Sequence, residues 1–245
     1  MNGDGLYTPT ADPIVNGTTR SFTSPSGVTY TATISNVTTT GPAGTSPQSR
    51  SSYSGAANNF PSGYGNIGGN NGGGNIIGIH NGGGGLTSTF SITIVANYPG
   101  GLSGNVAAFA IAGTETLDGT GEYYQITTPS GSVKYMDKYI LNNDWPNMST
   151  QLQVSGGGST VRVTNHLGGN SRGDALLIAE NVPYIDAAVK GGGIQHFAIG
   201  FMENVDYSDA PSSYGQAVHI VTSSITGGNL ADGNTNLSTT TNTAD

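Results

Sequence analysis

The chain has 245 residues, 40 of them glycine, with no cysteine, 9% charged side chains and a formal net charge of −8. An ordinary domain is roughly 25% charged, and glycine costs about 1 kcal/mol at each helix-interior position, so the composition argues against a helical protein. The acidic balance argues against a basic surface for nucleic acid or an anionic membrane, and without cysteine there is neither a disulfide framework nor a thiolate metal site.

Disorder is the rival reading of so polar a chain. It fails in the middle, where apolar and polar residues alternate, as in Phe90-Ser91-Ile92-Thr93-Ile94. A first hairpin is predicted from residues 20–23 and 28–37 across the turn Ser24-Pro25-Ser26-Gly27. In its second strand Val28, Tyr30, Ala32 and Ile34 share one face and Thr29, Thr31, Thr33 and Ser35 the other. Residues 38–85 read as loop, dense in Gly and Asn from 63 to 85, with Ile76-Ile77-Gly78-Ile79 as a short buried strand inside it. Strands follow at 86–97, 104–113, 123–128 and 132–141. The runs 151–154 and 160–164 flank Ser155-Gly156-Gly157-Gly158-Ser159 as a hairpin with a glycine loop. Further strands at 175–180, 184–189, 196–202 and 217–221 complete the set. About a dozen short strands between turn signals predict an all-β fold, a β-sandwich of jelly-roll type with long Gly/Asn-rich loops. A parallel β-helix would need a stacked repeat of about 20 residues or more, and none is found. The tail 226–245 is polar and reads as linker.

Near the C-terminus stands Asp206-Tyr207-Ser208-Asp209-Ala210-Pro211-Ser212-Ser213-Tyr214-Gly215, followed by Ala217 and His219. It resembles a D-[YF]-x-D-A-P-x-S-Y-G-x-A-x-H pattern that recurs in large bacterial surface adhesins where one module ends and the next begins. The stretch before it, from Asp174-Ala175-Leu176-Leu177-Ile178 through Phe197-Ala198-Ile199-Gly200-Phe201, is similar to the end of the non-repetitive, lectin-like domain of the CshA-type fibrillar adhesins. The resemblance implies a lectin-like β-sandwich over 1–205 and a module-junction segment with a polar tail over 206–245. It also implies an extracellular place on a bacterial surface, at or near a fibril tip, binding host or partner-cell glycoproteins beside neighbouring modules of the same chain. Ser208 replaces the glycine common in the pattern, and the usual acidic follow-on is only partly present around Asp232. No apolar run reaches the ~20 residues that span a bilayer, so direct membrane insertion is not expected. The opening Met1-Asn2-Gly3-Asp4-Gly5 lacks the basic and apolar regions of a signal peptide, so the chain reads as a piece of a longer secreted protein.

For ligand binding the segment to weigh first is Asn142-Asn143-Asp144-Trp145-Pro146-Asn147. Sugar sites pair an aromatic face with amide and carboxylate partners for hydroxyls, and the single Trp here lies beside Asn142, Asn143, Asp144 and Asn147. The bland reading has Trp145 anchoring its loop to the core. Tyr123 and Tyr124 follow the turn Asp118-Gly119-Thr120-Gly121-Glu122 and are read as additions to the same surface. Arg172-Gly173-Asp174 is the tripeptide that integrins read, set against the plainer reading of a rigid strand start. Asp206 and Asp209 are candidates for Ca²⁺, but calcium wants six to eight oxygens, and a structural corner at Pro211 explains them as well.

No catalytic constellation stands out. His80, His166, His196 and His219 form no H-x-x-x-H pair, His196 reads as a core residue beside Phe197, and there is no G-x-S-x-G elbow. Residues 63–85 lack the Gly-Lys-Ser/Thr of a phosphate loop. A glycosidase needs two carboxyl groups ~5–9.5 Å apart, and nothing selects a pair from Glu115, Glu122, Glu180 and Glu203. Lys134, Lys138 and Lys190 lie in or beside strands and raise the question of Lys–Asn isopeptide crosslinks. The expectation is therefore an adhesin domain, not an enzyme, that binds a glycan or glycoprotein through loops at one edge of a β-sandwich and needs no cofactor. The alternatives are a secreted carbohydrate-active enzyme or its accessory module, and a structural stalk.

Overall fold

A computed structural model of the chain describes residues 12–24, 27–41, 46–50, 77–81, 84–113, 117, 121–140, 150–165, 173–192, 195–202, 205–207, 218–220, 229–230 and 234–236. Among them there is no α-helix, and the strands form two large antiparallel sheets. The first runs in the order β1 (Asp12–Pro13), β4 (Gln48–Arg50), β5 (Ile77–His80), β15 (His196–Met202), β8 (Ala108–Gly113), β13 (Gly173–Glu180), β10 (Val133–Ile140) and β18 (Asn229–Leu230). The second runs β2 (Thr19–Thr23), β3 (Thr29–Thr39), β6 (Thr87–Asn97), β14 (Tyr184–Lys190), β9 (Tyr123–Thr127), β12 (Thr160–Asn165), β11 (Thr150–Ser155) and β19 (Asn234–Asn236), with β7 (Ser103–Asn105) beside β6. A separate small hairpin joins β16 (Val205–Tyr207) to β17 (Val218–Ile220).

Period-2 patterning decides which sheet faces meet. Val28, Tyr30, Ala32 and Ile34 are buried, as are Phe90, Ile92, Ile94 and Ala96 across the β3–β6 ladder. They pack on Phe197, Ile199 and Phe201 of the other sheet in one continuous core. Phe197 sits near the middle, with ring centroids 6.0 Å from Phe90 and 6.2 Å from Tyr124. Tyr30 reaches Phe201 at 4.5 Å. These sheet-to-sheet contacts make the fold a β-sandwich.

Three features differ from the simple strand list. The run 104–113 is two strands rather than one, since β7 belongs to the second sheet and β8 to the first. The chain changes sheets at Val106 and Ala107, both buried. Strand β13 is buried on both faces: Ala175, Leu177 and Ala179 enter the main core, while Leu176 and Ile178 join Ala108, Ala112 and Met136 in a second apolar cluster. That explains why its sequence reads as a continuous apolar run instead of alternating. Pieces of the polar tail also enter the sheets, with Leu230 opposite Lys134 and Thr235 opposite Leu152.

Candidate functional site

The ladders bring a specific set of strand ends to one end of the sandwich. Tyr123 at the start of β9 lies opposite Thr164 on one side and Lys190 on the other. Thr150 lies opposite Asn165, Ile140 opposite Gly173, and His196 opposite His80. The segments 114–120, 141–149, 166–172 and 193–194 therefore all depart from, or return to, this end.

The same end holds most of the buried polar side chains among the described residues, namely Asn81, Ser88, Glu122, Thr150, Thr164, Asn165 and Gln195. Buried polar groups must be hydrogen-bonded, and here they fasten loop bases. Asn165 Nδ2 donates to the Leu117 carbonyl at 2.8 Å, and Thr164 Oγ1 donates to the Glu122 carbonyl at 2.9 Å. The Glu122 carboxylate accepts from the Gly192 N–H at 2.6 Å. Asn81 accepts the Gln195 N–H on Oδ1 at 3.1 Å and donates through Nδ2 to the Leu86 carbonyl at 3.0 Å. Loops held at their bases in this way present side chains at low ordering cost, which favours binding.

Beside this end, the outward face of the second sheet carries a regular array. One row, from β11 to β6, reads Gln153, Arg162, Gln125, Ala188 and Thr89. The row toward the loop end reads Gln151, Thr164, Tyr123, Lys190 and Thr87, and the row away from it Ser155, Thr160, Thr127, Asp186 and Ser91. The Arg162 guanidinium lies 3.9 Å from the centroid of the Tyr123 ring, and its Nε donates to Gln125 Oε1 at 2.9 Å. Asp186 accepts from Ser91 Oγ, which accepts in turn from Asn36 Nδ2 at 3.0 Å. Asn36 sits in the β3 bulge at φ 55, a left-handed backbone that asparagine tolerates better than most residues.

Of the residues singled out from the sequence, Tyr123 is half-buried on this outward face. Tyr124 is 0% exposed. Its hydroxyl donates to the Ala175 carbonyl at 3.1 Å and accepts the Ala175 N–H at 3.2 Å. The expectation that both tyrosines serve one surface is corrected by strand geometry, because successive side chains point to opposite faces. Asn142, Asn143, Asp144, Trp145 and Asn147 lie outside the described residues, between the ends of β10 and β11. Gly173 and Asp174 have their backbone in the β10–β13 ladder, opposite Ile140 and Tyr139, while Arg172 lies outside the described residues.

Asp206 pairs through its backbone with His219, and Asp209 is outside the described residues. Glu122 stands at the loop end, whereas Glu180 closes β13 at the other end, opposite Ala108, and pairs with Lys134 Nζ at 2.6 Å. These two carboxylates are thus separated by the length of β13 and are not a hydrolytic pair. Glu115 and Glu203 are outside the described residues. Sequence reasoning missed Arg162, Gln125 and Gln153. Their signal was the alternation in Gln151-Leu152-Gln153 and Thr160-Val161-Arg162-Val163-Thr164, but only the register brings them together.

The fold is a two-sheet β-sandwich with strand ends tied by buried polar side chains at one end. The family model for surface adhesin CshA non-repetitive domain 2 matches residues 7–202, and the chain belongs to that family. It is a surface adhesin domain, and its place is the cell surface. No curated protein and no solved structure matches it. Among the described residues no helix is long and apolar enough to cross a membrane.

Proposed function

We propose that this adhesin domain recognises a glycan or glycoprotein of a host or partner cell through the end of the sandwich where β9, β10, β11, β12 and β13 begin or finish. One observation carries the reading: the ladders gather at that end the anchors of segment 141–149, the Gly173–Asp174 strand start and Tyr123. Buried Asn81, Glu122 and Asn165 tie the neighbouring loop bases there. Asn, Asp and Trp side chains on such loops supply hydroxyl partners and a stacking face for sugars. Individually weak sites suit adhesion, because many copies on one surface gain avidity. Neighbouring modules of the same surface protein are its other partners.

The test is a glycan and host-glycoprotein array probed with the wild-type chain and with Trp145→Ala. The reading expects retention on a subset of ligands and at least a tenfold loss in the variant, as for a central aromatic contact worth ~2 kcal/mol. Full retention by a Trp145→Ala protein with an unchanged melting temperature would remove Trp145 from the site.

A further inference from the structure

We infer that the outward face of the nine-stranded sheet holds a binding site for a carboxylate-bearing saccharide, centred on Arg162 and flanked by Gln153, Gln125, Tyr123, Ala188 and Lys190. The inference rests on the glycan reading above and deepens it. It names the ligand class, and it extends the site from the loop end onto the adjoining sheet face.

Arg162 is one of only seven Lys and Arg residues in a chain of net charge −8, yet among the described residues no carboxylate pairs with it. Its interactions with the protein are the Tyr123 ring at 3.9 Å and the Nε bond to Gln125 at 2.9 Å. Both hold the guanidinium still, and neither uses Nη1 or Nη2. Those two nitrogens form a planar fork that matches a carboxylate bidentately. Among the described residues Lys190 likewise has no ion pair, and it lies directly across the ladder from Tyr123. The aromatic ring is thus bracketed by two cations that make no salt bridge among the described residues. Among the described residues the acid of this face closest in register is Asp186, one row away on β14, and its bond to Ser91 holds it toward β6 and away from Arg162.

The rest of the row suits sugar hydroxyls better than an acidic peptide. Gln125 spends Oε1 on Arg162, which leaves its NH₂ to donate to ring or hydroxyl oxygens. Gln153, directly across from Arg162, offers a second amide on the other side of the fork. Ala188 is the shortest side chain in the row and stands between Gln125 and Thr89. Strand neighbours lie about 4.8 Å apart, so the five-residue row spans roughly 19 Å, the length of three to four sugar rings.

Titration calorimetry on the full chain with sialyllactose and with lactose tests this, because the two differ by one carboxylate-bearing sugar. Sialyllactose is expected to bind and lactose to bind at least tenfold more weakly. Arg162→Gln should cost sialyllactose about tenfold or more, the loss typical of a charge-assisted hydrogen bond. Arg162→Lys, which keeps the charge and loses the fork, should fall between. Melting temperatures show whether each variant folds. Equal affinity for lactose, or an Arg162→Gln protein that keeps full sialyllactose affinity, would overturn the inference. A chain that binds array glycoproteins through segment 141–149 but neither sugar overturns it and leaves the glycan reading standing. Failure to bind any glycan or glycoprotein removes both, and preference for an acidic peptide over sialyllactose assigns the face to another partner.

Discussion

Tyr124 shows how a single side chain ties the two sheets together. The β8–β13 ladder begins at Leu176 opposite Ala112, so Ala175 has no β8 partner. The Tyr124 hydroxyl, arriving from the other sheet, satisfies both the N–H and the carbonyl of Ala175. Tyr124→Phe keeps the ring in the core and leaves two buried backbone groups without that partner. Each such group costs ~1–3 kcal/mol, so urea denaturation should show a loss of at least about 2 kcal/mol with an unchanged slope. Nothing in the sequence separates this residue from Tyr123 except parity within the strand. Read strictly, the alternation Tyr123, Gln125, Thr127 against Tyr124, Ile126 already assigns the two rings to opposite faces. What it lacks is a way to see Arg162 and Lys190 beside Tyr123, since both come from other strands and depend on register.

Strands and turns were the most legible layer. The β2–β3 hairpin, the short β5 inside its glycine-rich surroundings and the β11–β12 hairpin were all visible from alternation and turn residues. The split between β7 and β8 was not, because Val106 and Ala107 continue the apolar pattern while the chain crosses between sheets. The added pairs at β18 and β19 were also invisible, since Asn and Thr at an edge carry no hydrophobic signal. The β11–β12 turn shows why its glycines are required. Gly156, Gly157 and Gly158 stand at φ 61, 66 and 98. Gly157 has open space around it, so Gly157→Ala isolates the backbone penalty, about 1 kcal/mol for a left-handed residue. Gly156→Ala should cost more, because its Cβ would stand 2.5 Å from Ser159 Oγ. Thermal melts of the two variants against wild type should rank them in that order, and equal melting temperatures would remove the turn from the determinants of the hairpin.

At the scale of the molecule, the two sheets run their strands in parallel lists, from β1 and β2 at one flank to β18 and β19 at the other. The sandwich is a rigid core with polar attachments, and its two ends differ in kind. One end is closed by tight turns, such as those after Ser24 and Ser155 and the Tyr98–Leu102 turn. The other carries longer segments whose bases are fastened by buried Asn and Glu side chains. The proposed glycan site uses that asymmetry, and the proposed saccharide site on the outward face continues it to Arg162. Segment 141–149 is legible only as residue types, because aromatic and amide side chains in a loop announce chemistry without geometry.

Amide hydrogen exchange of the chain, with and without the glycoprotein that the array selects, tests this most directly. The account predicts that added protection concentrates at Tyr123, Thr150, Asn165, Gly173 and Lys190 and in the segments between them, while amides near Ser24, Asn97, Thr127 and Ser155 are unchanged. Protection confined to the tight-turn end, or no change anywhere on saturation with ligand, would contradict it.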